Sequence, residues 1–175
     1  MLLWVVAATG CINDPAEIAE FREQLRDDVE VAHGVRILYS DSAKVRLVIT
    51  APTMYNYTDQ GSQRQEFPDG LHVVFIDEQQ DTSSYLDARW GVYRRRDNEI
   101  TVRDSVVWRS VDLQRLETEE LIYEDKTERI YTNKFVVLRQ PDYVITGYGL
   151  EADKNFDNAT VLQVDGRMPV NRPTD

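Results

Sequence analysis

The sequence predicts an all-β fold, a bent antiparallel β-jellyroll or β-roll that follows a short N-terminal helix or tether. Three observations predict it. From about Val35 onward, short runs alternate apolar and polar residues, as strands with one buried face do. Turn clusters such as Pro68-Asp69-Gly70 separate these runs at intervals of about 8–12 residues. A repeat of about 30 residues adds a sharp bend to each unit.

Composition sets the class of protein and excludes some functions. The chain has 175 residues, 42% hydrophobic and 29% charged, which suits one globular domain with its own core. Its net charge of -11 argues against nucleic-acid binding through a basic patch and against broad electrostatic docking on anionic lipid. The basic run Arg94-Arg95-Arg96 precedes Asp97-Asn98, so we predict a hairpin tip there.

Residues 1–11 are predicted to be a lipoprotein signal peptide. Residues 2–10 are apolar and uncharged but too few to span a bilayer core of about 30 Å. They end in Ala8-Thr9-Gly10 before Cys11, the single cysteine, which resembles the bacterial lipobox and predicts acylation of Cys11. Two features depart from that pattern, since no Lys or Arg precedes the run and Ala8 replaces the usual Leu. A buried first strand with a free thiol is the alternative.

Residues 12–30 are predicted to form a tether with a short helix. Asp14 suits the N-cap, Pro15 suits the first helical position, and Glu17 completes the spacing of a capping box. An apolar stripe follows at helical spacing, formed by Ile18, Phe21 and Leu25. The β-roll domain is predicted to span residues 31–168, and residues 169–175 to form a flexible tail.

The repeat consists of an apolar residue, any residue and a small residue, followed by a compact or apolar residue three positions later. The strong copies are Leu86-x-Ala88 with Gly91, Leu116-x-Thr118 with Leu121, and Ile145-x-Gly147 with Leu150, and a fainter copy is Ile49-x-Ala51 with Met54. In each copy, the residues expected to face inward change from even to odd numbers, or from odd to even, after the small residue. Such a change needs an extra residue, so each unit is predicted to be a strand with a bulge or corner, followed by a hairpin return.

Stacked bent hairpins are predicted to form an elongated V-shaped roll with an apolar groove between two sheets. The predicted lining residues are Ile49, Met54, Val73, Phe75, Leu86, Leu116, Leu121, Ile130, Phe135, Val137, Ile145 and Leu150. Apolar alternation looks the same whether the interior is open or filled, so a dry core remains the alternative.

No motif for catalysis or for a cofactor is present. The two histidines, His33 and His72, lack partners at metal-ligand spacing, and we expect His72 on the outer face. The segment Asp153-x-Asn155-x-Asp157 resembles the start of a calcium loop but lacks its later glycine and acid, which favours a hairpin tip. Paired carboxylates, such as Glu119-Glu120, lie at predicted corners and turns. A glycan hydrolase would need two of them in a cleft, and nothing singles out such a pair.

Five stretches, in order, carry a resemblance that covers about residues 30–166. They are "YSDS" at 39–42, "FPDGLHVVFID" at 67–77, "LDARWGVY" at 86–93, "LETEELIYEDKTERIYTNKFVVL" at 116–138 and "GYGLEADKNFDN" at 147–158. In these the chain resembles the LptC family of lipopolysaccharide export, most closely its Bacteroidota-type members. Many members of that family have a transmembrane anchor, whereas this chain has a lipobox-like cysteine.

The resemblance implies a non-enzymatic periplasmic protein without a cofactor, attached here to the inner membrane through Cys11. It implies that lipopolysaccharide comes from an LptB/LptF/LptG-type transporter, has its acyl chains shielded in the interior, and passes to an LptA-type bridge protein of the same fold. We expect residues 160–168 to meet the bridge by edge-to-edge strand pairing, and residues 35–41 to lie nearer the transporter. A dry-cored scaffold or adhesin is the alternative function.

Overall fold

The computed structural model describes residues 29–59, 61, 63–154, 156 and 158–169. These residues form eleven β-strands and no helix, which confirms the predicted all-β class. The strands are β1 Val29–Asp41, β2 Lys44–Tyr57, β3 Arg64–Phe67, β4 Leu71–Ile76, β5 Thr82–Ala88, β6 Trp90–Arg94, β7 Glu99–Ser110, β8 Arg115–Glu124, β9 Arg129–Arg139, β10 Tyr143–Asp153 and β11 Thr160–Pro169. The predicted signal peptide, most of the predicted tether and the end of the predicted tail lie outside the described residues.

All eleven strands belong to one antiparallel sheet. Its order is β11-β10-β9-β8-β7-β5-β4-β2-β3-β6, with β1 added beside β2 and a second contact between β6 and β7. Strands β7 to β11 form a meander in which each strand pairs with the next through a short turn. The hairpin tip predicted at the basic run is confirmed, since residues 95–98 form the turn between β6 and β7, and residues 125–128 form the turn between β8 and β9.

The sheet folds back on itself to form two arms. The first arm contains the paired row Trp108, Leu116, Leu138 and Ile145. Between Ile145 and Asp153, the end of β10, a flat strand would span about 26 Å at about 3.3 Å per residue. Phe156, just beyond Asp153, nevertheless stacks on Trp108 with 4.2 Å between ring centroids. The second arm, which contains Asp153, therefore lies over the first.

In strands β7 to β10 each strand runs continuously through the corner between the arms, and the extra residue of a bulge lies in β7 against β8 and in β9 against both β8 and β10. The pairing register shifts between Arg103 and Val106 in β7, and between Thr118 and Ile122 in β8. In β7 the bulge residues Asp104 and Ser105 have φ angles of 66° and 62°. The repeat predicted corners with an extra residue in β8 and β10. Register shifts occur at both positions, but the extra residues lie in the neighbouring strands β7, β9 and β11.

In strands β2 to β6 the corner is an interruption. Strand β2 pairs with β4 over Leu47–Thr50 and with β3 over Tyr55–Tyr57, so its partner changes at the bend. The turn at residues 68–70 separates β3 from β4, and Arg89 separates β5 from β6. The Arg89 amide donates a hydrogen bond to the Asp104 carbonyl at 3.1 Å, which joins this break to the bulge in β7.

The core lies between the arms and is apolar. The least exposed large side chains are Trp108, Leu116, Leu138 and Leu150. Among the described residues, the buried polar side chains are Ser84 and the four threonines Thr53, Thr101, Thr118 and Thr132, and none is charged. Burying each large apolar side chain contributes about 1.5–3 kcal/mol, so this interior is the main source of stability.

Candidate functional site

The inner surface of the two arms is the candidate site, and most of its predicted lining is there. Six predicted residues are buried in the core cluster: Val73, Leu86, Leu116, Leu121, Ile130 and Leu150. Four more are partly buried and pack against that cluster: Ile49, Met54, Phe75 and Ile145. Contact between any of these positions and a lipid remains a prediction.

Phe135 and Val137 are placed differently from the predicted inward orientation. Phe135 is 39% exposed and makes an edge contact with Tyr148, and Val137 is absent from the core cluster. The buried residues of this strand segment are Val136 and Leu138. The reason is an extra residue in β9, which shifts register against both β8 and β10. Because of this extra residue, the buried side chains of β9 stay at even-numbered positions through the corner, whereas those of β8 and β10 change between even and odd positions.

A hydroxyl group stabilises the corner where β8 meets β9. Thr118 occupies the small position of the repeat and is 8% exposed. Its Oγ1 donates a hydrogen bond to the Phe135 carbonyl at 3.0 Å. A buried hydroxyl needs such an acceptor, so the bond explains why Thr is tolerated where the other copies have Ala or Gly.

The centre of the interior is formed by Trp108 and Phe156, which were not among the predicted lining residues. Trp108 is 2% exposed, and Phe156 is 4% exposed and stacks on it with 22° between the ring planes. Trp108 was detectable, because Val102, Val106 and Trp108 share the even parity of β7 across its bulge. Phe156 lies in the loop between β10 and β11, where no periodic signal marks an inward residue.

An open depression of about 890 Å³ lies at the interrupted corner and contains His72 and Asp87. His72 Nδ1 lies 2.6 Å from Asp87 Oδ1, and Asp87 also pairs with Arg109. His72 is half-exposed on the outer surface, as predicted. Ser105 lines the same depression but forms no hydrogen bond with His72 among the described residues. His72 and Arg109 therefore both contact the Asp87 carboxylate on the outer surface.

Ion pairs lie on the outer face, and two groups have shifted pKa values: Glu117 on that face, and Tyr123, which packs against the core. The hydrogen bond from Arg115, with help from Arg139, lowers the pKa of Glu117 below its ordinary 4.5. Burial raises the pKa of Tyr123 well above 10.0, and the Asp125 carboxylate adds to the rise. Within the described part of the chain, no group of three His, Cys, Asp or Glu side chains is arranged to hold a metal ion.

The sheet ends in two strands that each have one described neighbour. β1 pairs with β2, and β11 pairs with β10. On β11, three apolar side chains are more than half exposed: Leu162, Val164 and Met168. On β1 the corresponding residues are Val31, Leu38 and Tyr39. A strand edge with exposed apolar side chains can accept a further strand.

Two bent arms around an apolar interior, with an open strand edge at each end, define the class of bent β-roll proteins. A family model described as "Lipopolysaccharide-assembly, LptC-related" matches residues 2–168. The chain therefore belongs to the LptC family, a family of non-enzymatic periplasmic components of lipopolysaccharide transport that associate with the inner membrane. The predicted resemblance is confirmed. No curated protein matched the chain.

The form of the membrane anchor stays a prediction. The described part of the chain contains no helical segment with the length and hydrophobicity of a membrane span. Cys11 lies outside the described residues, so its acylation is untested, as is the closer relation to Bacteroidota-type members.

Proposed function

We propose that this protein receives lipopolysaccharide from an LptB/LptF/LptG-type inner-membrane transporter and passes it to an LptA-type periplasmic bridge protein. The observation that carries the proposal is the chemistry of the interior. Its buried side chains are apolar apart from hydroxyl groups of Ser and Thr and the indole N–H of Trp108, and none of those described is charged. Each acyl CH₂ moved from water into such surroundings contributes about 0.8 kcal/mol. Such an interior can hold a lipid without catalysing any reaction.

The two strand edges supply the docking surfaces in this proposal. The exposed side chains of β11 lie on the segment expected to meet the bridge protein, residues 160–168. β1 contains residues 35–41, the segment expected to lie nearer the transporter. Edge-to-edge pairing would extend the sheet and its apolar interior from one protein into the next. A Met168→Lys change should leave the fold intact, since Met168 is 61% exposed, and should weaken capture of the bridge protein.

A dry-cored scaffold is the second candidate function, and one observation favours it. Leu116, Val136 and Leu150 are 0% exposed, so in this structure the centre of the interior is filled by side chains. Under this reading the apolar interior only stabilises the roll. Lipid carriage requires the arms to admit an acyl chain between them.

A matched pair of phenylalanines tests the proposal. Phe75 packs against the core from the inner face, whereas Phe135 is on the outer surface. Each would be replaced, in the full chain, by the photo-crosslinker benzoylphenylalanine in a lipopolysaccharide-producing bacterium. We expect lipopolysaccharide adducts at position 75 and none at position 135. Adducts at both positions would indicate surface adsorption, and none at either position in a folded protein would favour the scaffold.

A further inference from the structure

The loop between β10 and β11 places an aromatic ring inside the roll. Phe156 belongs to the second arm by sequence, since its amide donates a hydrogen bond to the Asp153 carbonyl at 3.0 Å. Its ring nevertheless stacks on Trp108 of the first arm and is 4% exposed. The backbone at Phe156 has a φ of 62°, a left-handed conformation that is unfavourable for a bulky residue. The loop therefore holds this ring between the arms at a conformational cost.

The partner of that ring carries a polar group with nothing to bond. The Nε1–H of Trp108 is fully buried, and no acceptor among the described residues reaches it. Trp is normally placed where its N–H finds a partner, because a buried donor left unpaired is destabilising. An unpaired donor beside a strained aromatic residue is typical of a binding site rather than of a core selected for stability alone.

We infer that Phe156 is an internal substitute for the lipid, and that an acyl chain enters the roll by displacing the Phe156 ring from Trp108. This inference rests on the proposed function and specifies its site. An acyl chain and a phenyl ring present the same apolar surface to the Trp108 indole, so either can fill the space. An acyl chain linked through an ester or amide also carries an oxygen that can accept the Nε1–H bond. The lipid-free protein then avoids an empty apolar cavity, which would be destabilising.

Displacement has a measurable consequence for affinity. A lipid that must displace Phe156 binds with an apparent affinity reduced by the fraction of molecules in which the site is open. An open state populated at about 1–10% lies in the upper part of the range that is usual for such minor states. Shortening the Phe156 side chain should therefore tighten lipid binding about 10- to 100-fold, although it removes packing from the core.

The test uses the full chain with Cys11→Ser, Trp4→Phe and Trp90→Phe, so that Trp108 is the single indole. Brominated stearate quenches indole emission on contact, and titration gives its apparent Kd at Trp108. We expect quenching in this parent chain and about 10- to 100-fold tighter binding in Phe156→Ala, with Phe156→Leu between the two. If Phe156→Ala loses its near-ultraviolet circular dichroism, the Phe156→Leu result decides.

Phe67→Ala is the matched control, because Phe67 is 3% exposed in the same core cluster but lies on β3. It should change the apparent Kd by less than about twofold, because Phe67 does not compete for the site. Equal tightening in Phe67→Ala, or no tightening in either Phe156 variant, would overturn the displacement by Phe156 and leave lipid carriage intact. Absence of quenching in every folded variant would overturn the proposed function together with this inference.

Discussion

The two halves of the sheet turn the same corner in different ways. In β7 to β10 each strand runs through the bend, with a bulge in β7 and another in β9, and the centre of the interior there is fully buried. In β2 to β6 the strands end or change partners, and an open depression of about 890 Å³ remains. In the continuous strands the pairing resumes with the same partner after each register shift, whereas in the interrupted half the strands end or take a new partner. We therefore expect the interrupted half to be the more deformable of the two.

Equal truncations in the two halves should therefore have unequal costs. Leu116 in β8 is 0% exposed, and Leu71 at the start of β4 is 7% exposed and lines the depression. Leu116→Ala should lower the free energy of unfolding by about 4 kcal/mol, and Leu71→Ala by about 2 kcal/mol. The difference arises because the structure around Leu71 can relax into the space left behind. Urea denaturation of both variants measures it, and equal losses would show that the interrupted half is as rigid as the other.

Two repeat glycines extend the comparison. A Cβ on Gly147 would collide with the carbonyl group of Gln163, which belongs to the backbone of β11. A Cβ on Gly91 would lie 2.9 Å from Cδ2 of Leu71, the movable end of a side chain. We expect Gly147→Ala to cost about 3 kcal/mol and Gly91→Ala about 1 kcal/mol. Hydrogen exchange should also show loss of protection in β11 for Gly147→Ala alone, and undisturbed β11 amides in that variant would contradict the collision.

Two adjacent side chains of β9 lie on opposite faces of the sheet. Val136 is 0% exposed, whereas Phe135 is 39% exposed and contacts Tyr148. Val136→Ala should cost about 2–3 kcal/mol through lost burial and a cavity. Phe135→Ala should cost about 1 kcal/mol, the energy of an exposed aromatic pair, despite the larger side chain removed. Thermal unfolding of the two variants orders them, and a larger loss for Phe135→Ala would contradict the assigned orientation.

The same strand shows what sequence could predict. Alternation from Val35 to the end of the roll predicted strands, because a side chain that alternates faces needs only its own sequence to reveal a buried face. The parity change at the small residues predicted the corners of β8 and β10. The inward orientation predicted for Phe135 and Val137 in β9 was wrong. A bulge in one strand is defined only against its neighbours, and no pattern within residues 129–139 reveals their register. Phe156 was beyond prediction for a related reason, because its partner, Trp108, lies on a strand in the other arm.

The smallest expected effect concerns the charged outer face of the continuous half. Glu117 accepts hydrogen bonds from Arg115 at 2.8 Å and from Arg139 at 3.4 Å, and these lower its pKa in the folded state. Because the folded protein holds the proton of Glu117 less tightly than the unfolded chain, the pair stabilises the fold above pH 4.5. That contribution is lost as the pH falls through 4.5 and below. Glu117→Gln should therefore reduce stability slightly at neutral pH and not at all at about pH 2, well below the ordinary pKa. Glu119→Gln, at an exposed position of the same strand, is the control and should leave the pH profile unchanged. A Glu117→Gln profile parallel to that of the unmodified chain would show that the ion pairs of this face do not contribute to stability, and that the interior alone holds the arms together.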